Sequence, residues 1–229
     1  MTSSAVTAPV APSPYRRMVG ILRILLAVLI FAAIVTQIVD QITHDAFEPA
    51  RYFGFFTIQS SLMNVVVLAV GGALALRVAA EPELMARVRM STLCYAVITG
   101  VVYNLLLRNL PPDGSFVGLD WPNEVLHVWA PVLIVADWLL APGRPALAWN
   151  RIWFAMIYPV VWLGYALVRG GVTDYWTYPF LNPNEPGGWP KVLLYILVIA
   201  VVIIGISAAA IGLSRLGRRR VTELTRDLA

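Results

Sequence analysis

The sequence predicts an all-α polytopic membrane protein, one bundle of six transmembrane helices with both termini cytoplasmic. Three observations point there. Hydrophobic residues make up 59% of the 229 and only 13% are charged, whereas ordinary globular domains are about half apolar and about a quarter charged. Apolar stretches of bilayer length recur at 18–39, 54–76, 90–108, 124–141, 149–168 and 191–213; roughly 20 helical residues cross a hydrocarbon core of about 30 Å. Finally, arginine and lysine are unevenly shared between alternate connections.

The elements follow in order. Residues 1–14, rich in Ser, Thr, Ala and Pro, read as a disordered tail. The first span lies inside the chain and has no A-x-A cleavage signature, so it is expected to be retained. EPAR and Phe53-Gly54 precede the second span, and Glu81-Pro82-Glu83 divides the second from the third. NLPPDGS follows the third, APGRP follows the fourth, and NPNEPGGWP precedes the sixth. Proline and glycine at these places interrupt helices. Residues 15–214 are therefore expected to form one six-helix domain, and 215–229 a basic cytoplasmic tail. No internal repeat is visible, so transporter-type inverted symmetry is not indicated.

Orientation follows from charge. The amino terminus, the 77–89 and 141–151 connections and the tail hold thirteen arginines. The opposite connections hold Arg51, Arg108, Arg169 and Lys191. The positive-inside rule assigns the richer side to the cytoplasm. The net charge of +4 then reflects topology, and a nucleic-acid partner is not expected. A single cysteine, Cys94, excludes an internal disulfide and any CxxC site. Sixteen arginines against one lysine point to a GC-rich, bacterial genome, hence a bacterial plasma membrane.

The stretch RYFGFFTIQSSLMNVVVLAVGGALAL, residues 51–76, gathers its polar residues at one end. Thr57, Ser60, Ser61 and Asn64 follow i, i+3, i+4, i+7 and share one helix face. On the predicted orientation Thr57 lies roughly 5 Å below the outer boundary. His127 in the fourth span, and Tyr103 and Asn104 in the third, fall at the same level. His127 is the one histidine within a span. Ionisable groups inside membranes are costly and commonly functional; a structural histidine bonded across helices is the other reading. Pro131 cannot donate to the His127 carbonyl and is expected to kink the helix. Glu124, three residues earlier, shares a face with His127 and is the candidate to orient the imidazole. Below Asn64 the second span reads VVVLAVGGALAL, which argues against a polar path to the cytoplasmic side.

Several chemistries lack their motifs: there is no G-x-S-x-G elbow, no H-E-x-x-H helix and no G-x-x-x-x-G-K loop. No cofactor is expected. A metal held by Glu124, His127 and His44 is a minor alternative. The 170–190 connection, with Tyr178 among several prolines, reads as a lid over the outer layer or as an interfacial anchor.

Three segments carry a family resemblance: YFGFFTIQSSLMN, NEVLHVWAP and GVTDYWTYPFLNPNEPGGWPKVLL. With the six-span layout they make the chain resemble the androgen-induced and androgen-dependent, tissue-factor-pathway-inhibitor-regulating protein family, and its bacterial "Pr-six-Pr" branch. That resemblance implies a membrane threonine hydrolase acting on fatty acid esters of hydroxy fatty acids, with Thr57 as nucleophile and His127 as base. It implies membrane lipids and an acyl ester as partners. Asn104 is the better-placed candidate oxyanion donor and Asn64, about 10 Å deeper, the weaker; Ser61 and Tyr178 are supporting candidates. A lipid-binding protein or transporter without catalysis is the alternative function.

Overall fold

The computed structural model describes residues 11–110 and 116–226, with side chains as far as residue 216. Residues 1–10 of the expected tail and 111–115 of the third connection lie outside the described residues. Helix α1 runs Pro14–Thr43 and begins with proline in its first turn, while the Ser13 hydroxyl accepts from the Arg16 N–H at 3.2 Å. Both features are helix-start signals, which is why the first span begins earlier than hydropathy alone indicates. A single turn, α2 (Pro49–Tyr52), precedes α3 (Phe56–Arg77). Helix α4 (Glu83–Val102) continues into a π-helical turn, Tyr103–Leu107. The Glu81-Pro82-Glu83 breaker starts this helix, with Pro82 at the N-cap.

The fourth span is composite: α5 (Asp120–Glu124), a second π-helical turn at Val125–Trp129, then α6 (Ala130–Leu140). Helix α7 (Ile152–Thr173) follows a 3-10 turn at Trp149–Arg151, and α8 runs Gly188–Arg226. Six of these stretches are long and apolar enough to cross a membrane, and the described residues form an all-α bundle. Leucine, isoleucine and valine cover the outer faces of α1, α7 and α8, the surface a helix bundle presents to lipid. Helix α4 is the centre: thirteen of its twenty residues are buried, and it packs against α3, α6, α7 and α8.

Small residues set the closest approaches. A Cβ on Gly20 of α1 would lie 2.8 Å from the Gly72 carbonyl of α3, and one on Gly72 would lie 2.7 Å from the Gly20 carbonyl. Such contact replaces the hydrophobic drive that lipid removes.

The four polar residues of α3 point inward as a set: Thr57, Ser60, Ser61 and Asn64 are all buried. The polar groups do not end there, contrary to the expectation drawn from the apolar lower half of α3. Asn64 Nδ2 donates to the Ser60 and Thr92 carbonyls at 3.1 and 3.3 Å. Below it, a cavity of about 10 Å³ is lined in part by Asn64, Thr92, Arg89 and Asp137, room for about one water. Arg89 Nη1 then donates to both oxygens of Glu81 at 2.7 and 2.6 Å, and its Nη2 to Asp137 at 2.5 Å. Arg23 Nε donates to the other Asp137 oxygen at 2.8 Å. Helix α3 alone misses this column because α1, α4 and α6 supply it. Asp137 is thus a hub that joins α6 to α1 and α4.

Candidate functional site

The site is built where three helix ends meet. Helix α3 begins at Phe56 with Phe55 as N-cap, so Thr57 is its second residue. The first turn of a helix has N–H groups without intrahelical acceptors and carries partial positive charge. Thr57 therefore joins a hydroxyl to a backbone region suited to negative charge. Its Oγ1 lies 3.4 Å from His127 Nε2. The two residues the resemblance pairs, seventy positions apart, are in contact.

The geometry fixes which way that proton points. His127 Nδ1 lies 2.9 Å from the Asn123 carbonyl oxygen. A carbonyl only accepts, so Nδ1 carries the hydrogen and Nε2 presents a lone pair. Thr57 is then the donor and His127 the acceptor. Asn123 is the orienting residue, and sequence reasoning missed it because it acts through its backbone. Glu124, expected in that role, instead pairs with Arg108 at the exposed outer edge. Arg108 also sits over the Tyr103 ring at 5.5 Å. Tyr103 in turn stacks on the His127 ring, centroids 4.0 Å apart and planes at 25°, and its hydroxyl accepts from Asn123 Nδ2. The imidazole is held from its face and from Nδ1.

Pro131 has the expected consequence at the carbonyl of His127, and the compensation comes from α4. Asn104 Nδ2 donates to the His127 carbonyl at 3.2 Å and to the Gly100 carbonyl at 2.8 Å. Both amide hydrogens are committed, so Asn104 is not available as an oxyanion donor; it repairs the backbone bond that proline removes. Gly100 permits the approach, since a Cβ there would lie 3.0 Å from the His127 oxygen. Both helices carry their π-helical turns here, a feature that concentrates at functional sites.

Asn64 and Ser61 stand apart from the pair. Asn64 pins α3 to α4, as described, and Ser61 is buried without lining the cavity on which Thr57 opens. Tyr178 does reach the pair. It is buried against Phe180, whose ring is 5.2 Å away and nearly parallel, and against Trp162. Its ring lies 5.8 Å from that of Phe55, the N-cap of α3, and it lines one cavity with Phe56 and Thr57. Burial pushes the phenol up to about 12, so Tyr178 keeps its proton at physiological pH and remains a donor. The connection that carries it is tied down: Arg51 Nε donates to the Tyr175 hydroxyl at 3.1 Å, and Arg169 lies over the Tyr175 ring at 4.5 Å.

Thr57 and Tyr178 edge a cavity of about 140 Å³. Apart from them and Thr99 its walls are almost wholly apolar. Pro159 and Leu163 of α7 and Ile196 and Ile203 of α8 are part of that apolar lining. The wall from Ile196 to Ile203 extends about 10 Å along the helix axis.

The minor metal alternative does not assemble. His44 Nδ1 lies on the Asp40 carbonyl at 2.8 Å and its ring packs on Phe116, Glu124 faces Arg108, and His127 Nδ1 is committed to Asn123. Among the described residues no group of three His, Cys, Asp or Glu side chains converges. Comparison with family models, curated proteins and solved structures finds no match for this chain.

Proposed function

We propose that this protein is an intramembrane ester hydrolase that uses Thr57 as nucleophile and His127 as base on lipid-like acyl esters. The observation that carries the reading is the Thr57–His127 contact at 3.4 Å, with Thr57 also lining an apolar cavity. Hydrogen bonds between nucleophile and base are often long before substrate binds. The resemblance to the androgen-induced and androgen-dependent family supports the same two residues, and fatty acid esters of hydroxy fatty acids as the substrate class.

The chemistry runs in two steps. Thr57 Oγ attacks the ester carbonyl while its proton passes to His127 Nε2, which then protonates the leaving alcohol. Water, activated by His127, cleaves the acyl–Thr57 ester and restores the hydroxyl. Negative charge on the carbonyl oxygen is met by the Phe56 and Thr57 N–H groups at the α3 N-terminus and by the Tyr178 O–H. The acyl chain takes the cavity between α7 and α8. An ester near the headgroup level suits such a site, since its chains lie below and water reaches it from above. On the positive-inside rule this end faces outward from a bacterial plasma membrane, with both termini in the cytoplasm.

A second reading, a lipid-binding protein or transporter without catalysis, draws on the polar column continuing from Asn64 to Asp137. A fluorophosphonate probe applied to purified wild type and Thr57→Ala separates the two. Covalent labelling of the wild type that the variant loses supports the hydrolase. Equal labelling of both, or none of the wild type, rejects it.

A further inference from the structure

We infer that the end of the bundle holding both termini carries a second site, one for a phosphate group, built by Arg16 and Arg144 around the Pro142–Gly143 turn. The inference starts from charge. Four guanidinium groups, Arg16, Arg23, Arg89 and Arg144, gather here with two carboxylates, Glu81 and Asp137. The carboxylates are used up: both Glu81 oxygens accept from Arg89, and the Asp137 oxygens divide between Arg23 and Arg89. Arg16 and Arg144 make no ion pair among the described residues: their donors meet backbone carbonyls, and Arg144 also lies over the Trp138 ring at 4.2 Å. Arg16 donates to Val78 and Pro142, each at 2.7 Å, and Arg144 to Trp138.

Each keeps a buried donor with no partner among the described residues, Nη2 of Arg16 and Nε of Arg144. Arg16 is only 2% exposed. Arg144 is half-buried, and a buried cation such as Arg16 without a carboxylate of its own is expensive to maintain. Burial and the Arg89 charge push the Arg144 guanidinium down to about 10. Arg16 grips the turn that Arg144 directly follows: a Cβ on Gly143, at φ +78°, would lie 2.8 Å from Arg16 Nη1.

The chemistry selects the ligand. Two planar forks on separate elements, with two uncompensated charges, match the several oxygens and the charge of a phosphate better than a single carboxylate. The turn lies at a membrane-facing end, where basic pockets between helices take anionic headgroups. A phospholipid headgroup and a soluble phosphate offer the same chemistry, so the experiment distinguishes them. This inference does not depend on the hydrolase reading.

The full chain, purified in neutral detergent at constant ionic strength, is titrated separately with inorganic phosphate, dioleoyl phosphatidic acid and dioleoyl phosphatidylcholine. Thermal unfolding and native mass spectrometry are read. Phosphatidic acid is expected to raise the unfolding temperature and remain bound, unlike phosphatidylcholine. A shift from phosphatidic acid alone assigns the site to a headgroup, and a matching shift from inorganic phosphate assigns it to a soluble phosphate. Arg144→Gln should weaken the binding at least about tenfold, and Arg16→Gln likewise, while Arg77→Gln at the same end should not. Arg144 lies outside the spans, so its variant carries the test should Arg16→Gln fail to fold. No shift from either phosphate compound, or a shift that Arg144→Gln leaves intact, overturns the site.

Discussion

The Thr57 hydroxyl lies 3.4 Å from His127 Nε2, and the opposite ring nitrogen of His127 is committed to the Asn123 carbonyl. The hydroxyl therefore faces a base in the correct tautomer. On the proposed mechanism Thr57→Ala abolishes covalent probe labelling and ester turnover. Thr57→Ser keeps part of both, because a hydroxyl remains. His127→Ala loses turnover while the protein still folds and inserts. Chelators leave the activity unchanged. Wild-type turnover of lipid esters by purified Thr57→Ala would defeat the nucleophile assignment.

Tyr178→Phe removes one hydroxyl and little volume. If that hydroxyl stabilises the oxyanion, kcat should fall about 10²-fold with KM changed little and the unfolding temperature nearly kept. Tyr178→Ala should lower activity more than stability. A fall in stability without a matching fall in kcat would make Tyr178 an anchor of the 170–190 connection.

Asn104→Leu leaves the His127 carbonyl without its donor inside the bundle. An orphaned buried polar group costs about 1–3 kcal/mol, so the variant should unfold at lower temperature. Displacement of His127 should also reduce turnover. Unchanged unfolding would mean that another donor reaches that carbonyl.

Asp137→Asn withdraws the charge that Arg23 and Arg89 share. Breaking a buried ion pair from one side costs about 3–5 kcal/mol, a loss that denaturant or thermal titration in detergent will register. Arg87→Gln is the control, since its partner Glu83 is exposed and surface pairs contribute about 0–1 kcal/mol.

Topology has its own test. Reporters fused after residue 229 and within residues 112–118 should report opposite sides, the first cytoplasmic. The same side for both would overturn the count of spans and the common level of Thr57 and His127.

Sequence alone determined the class, the number of spans, the buried face of α3 and the common level of Thr57, Asn104 and His127. A bilayer makes those properties readable, because it imposes length and depth on each helix separately. Tertiary structure decided the neighbours. Asn123, not Glu124, orients His127, because a π-helical turn has no signature in hydrophobic periodicity. Asn104 serves the backbone of the adjacent helix, a demand that Pro131 creates but does not address to any residue. Tyr178 meets Thr57 only because the connection carrying it folds onto the start of α3. The ionic column below Asn64 was hidden because its members are single residues on α1, α4 and α6 and on the connection before α4. Each looks interfacial in its own segment, and only lateral packing, which no one-dimensional rule of depth encodes, makes them one network.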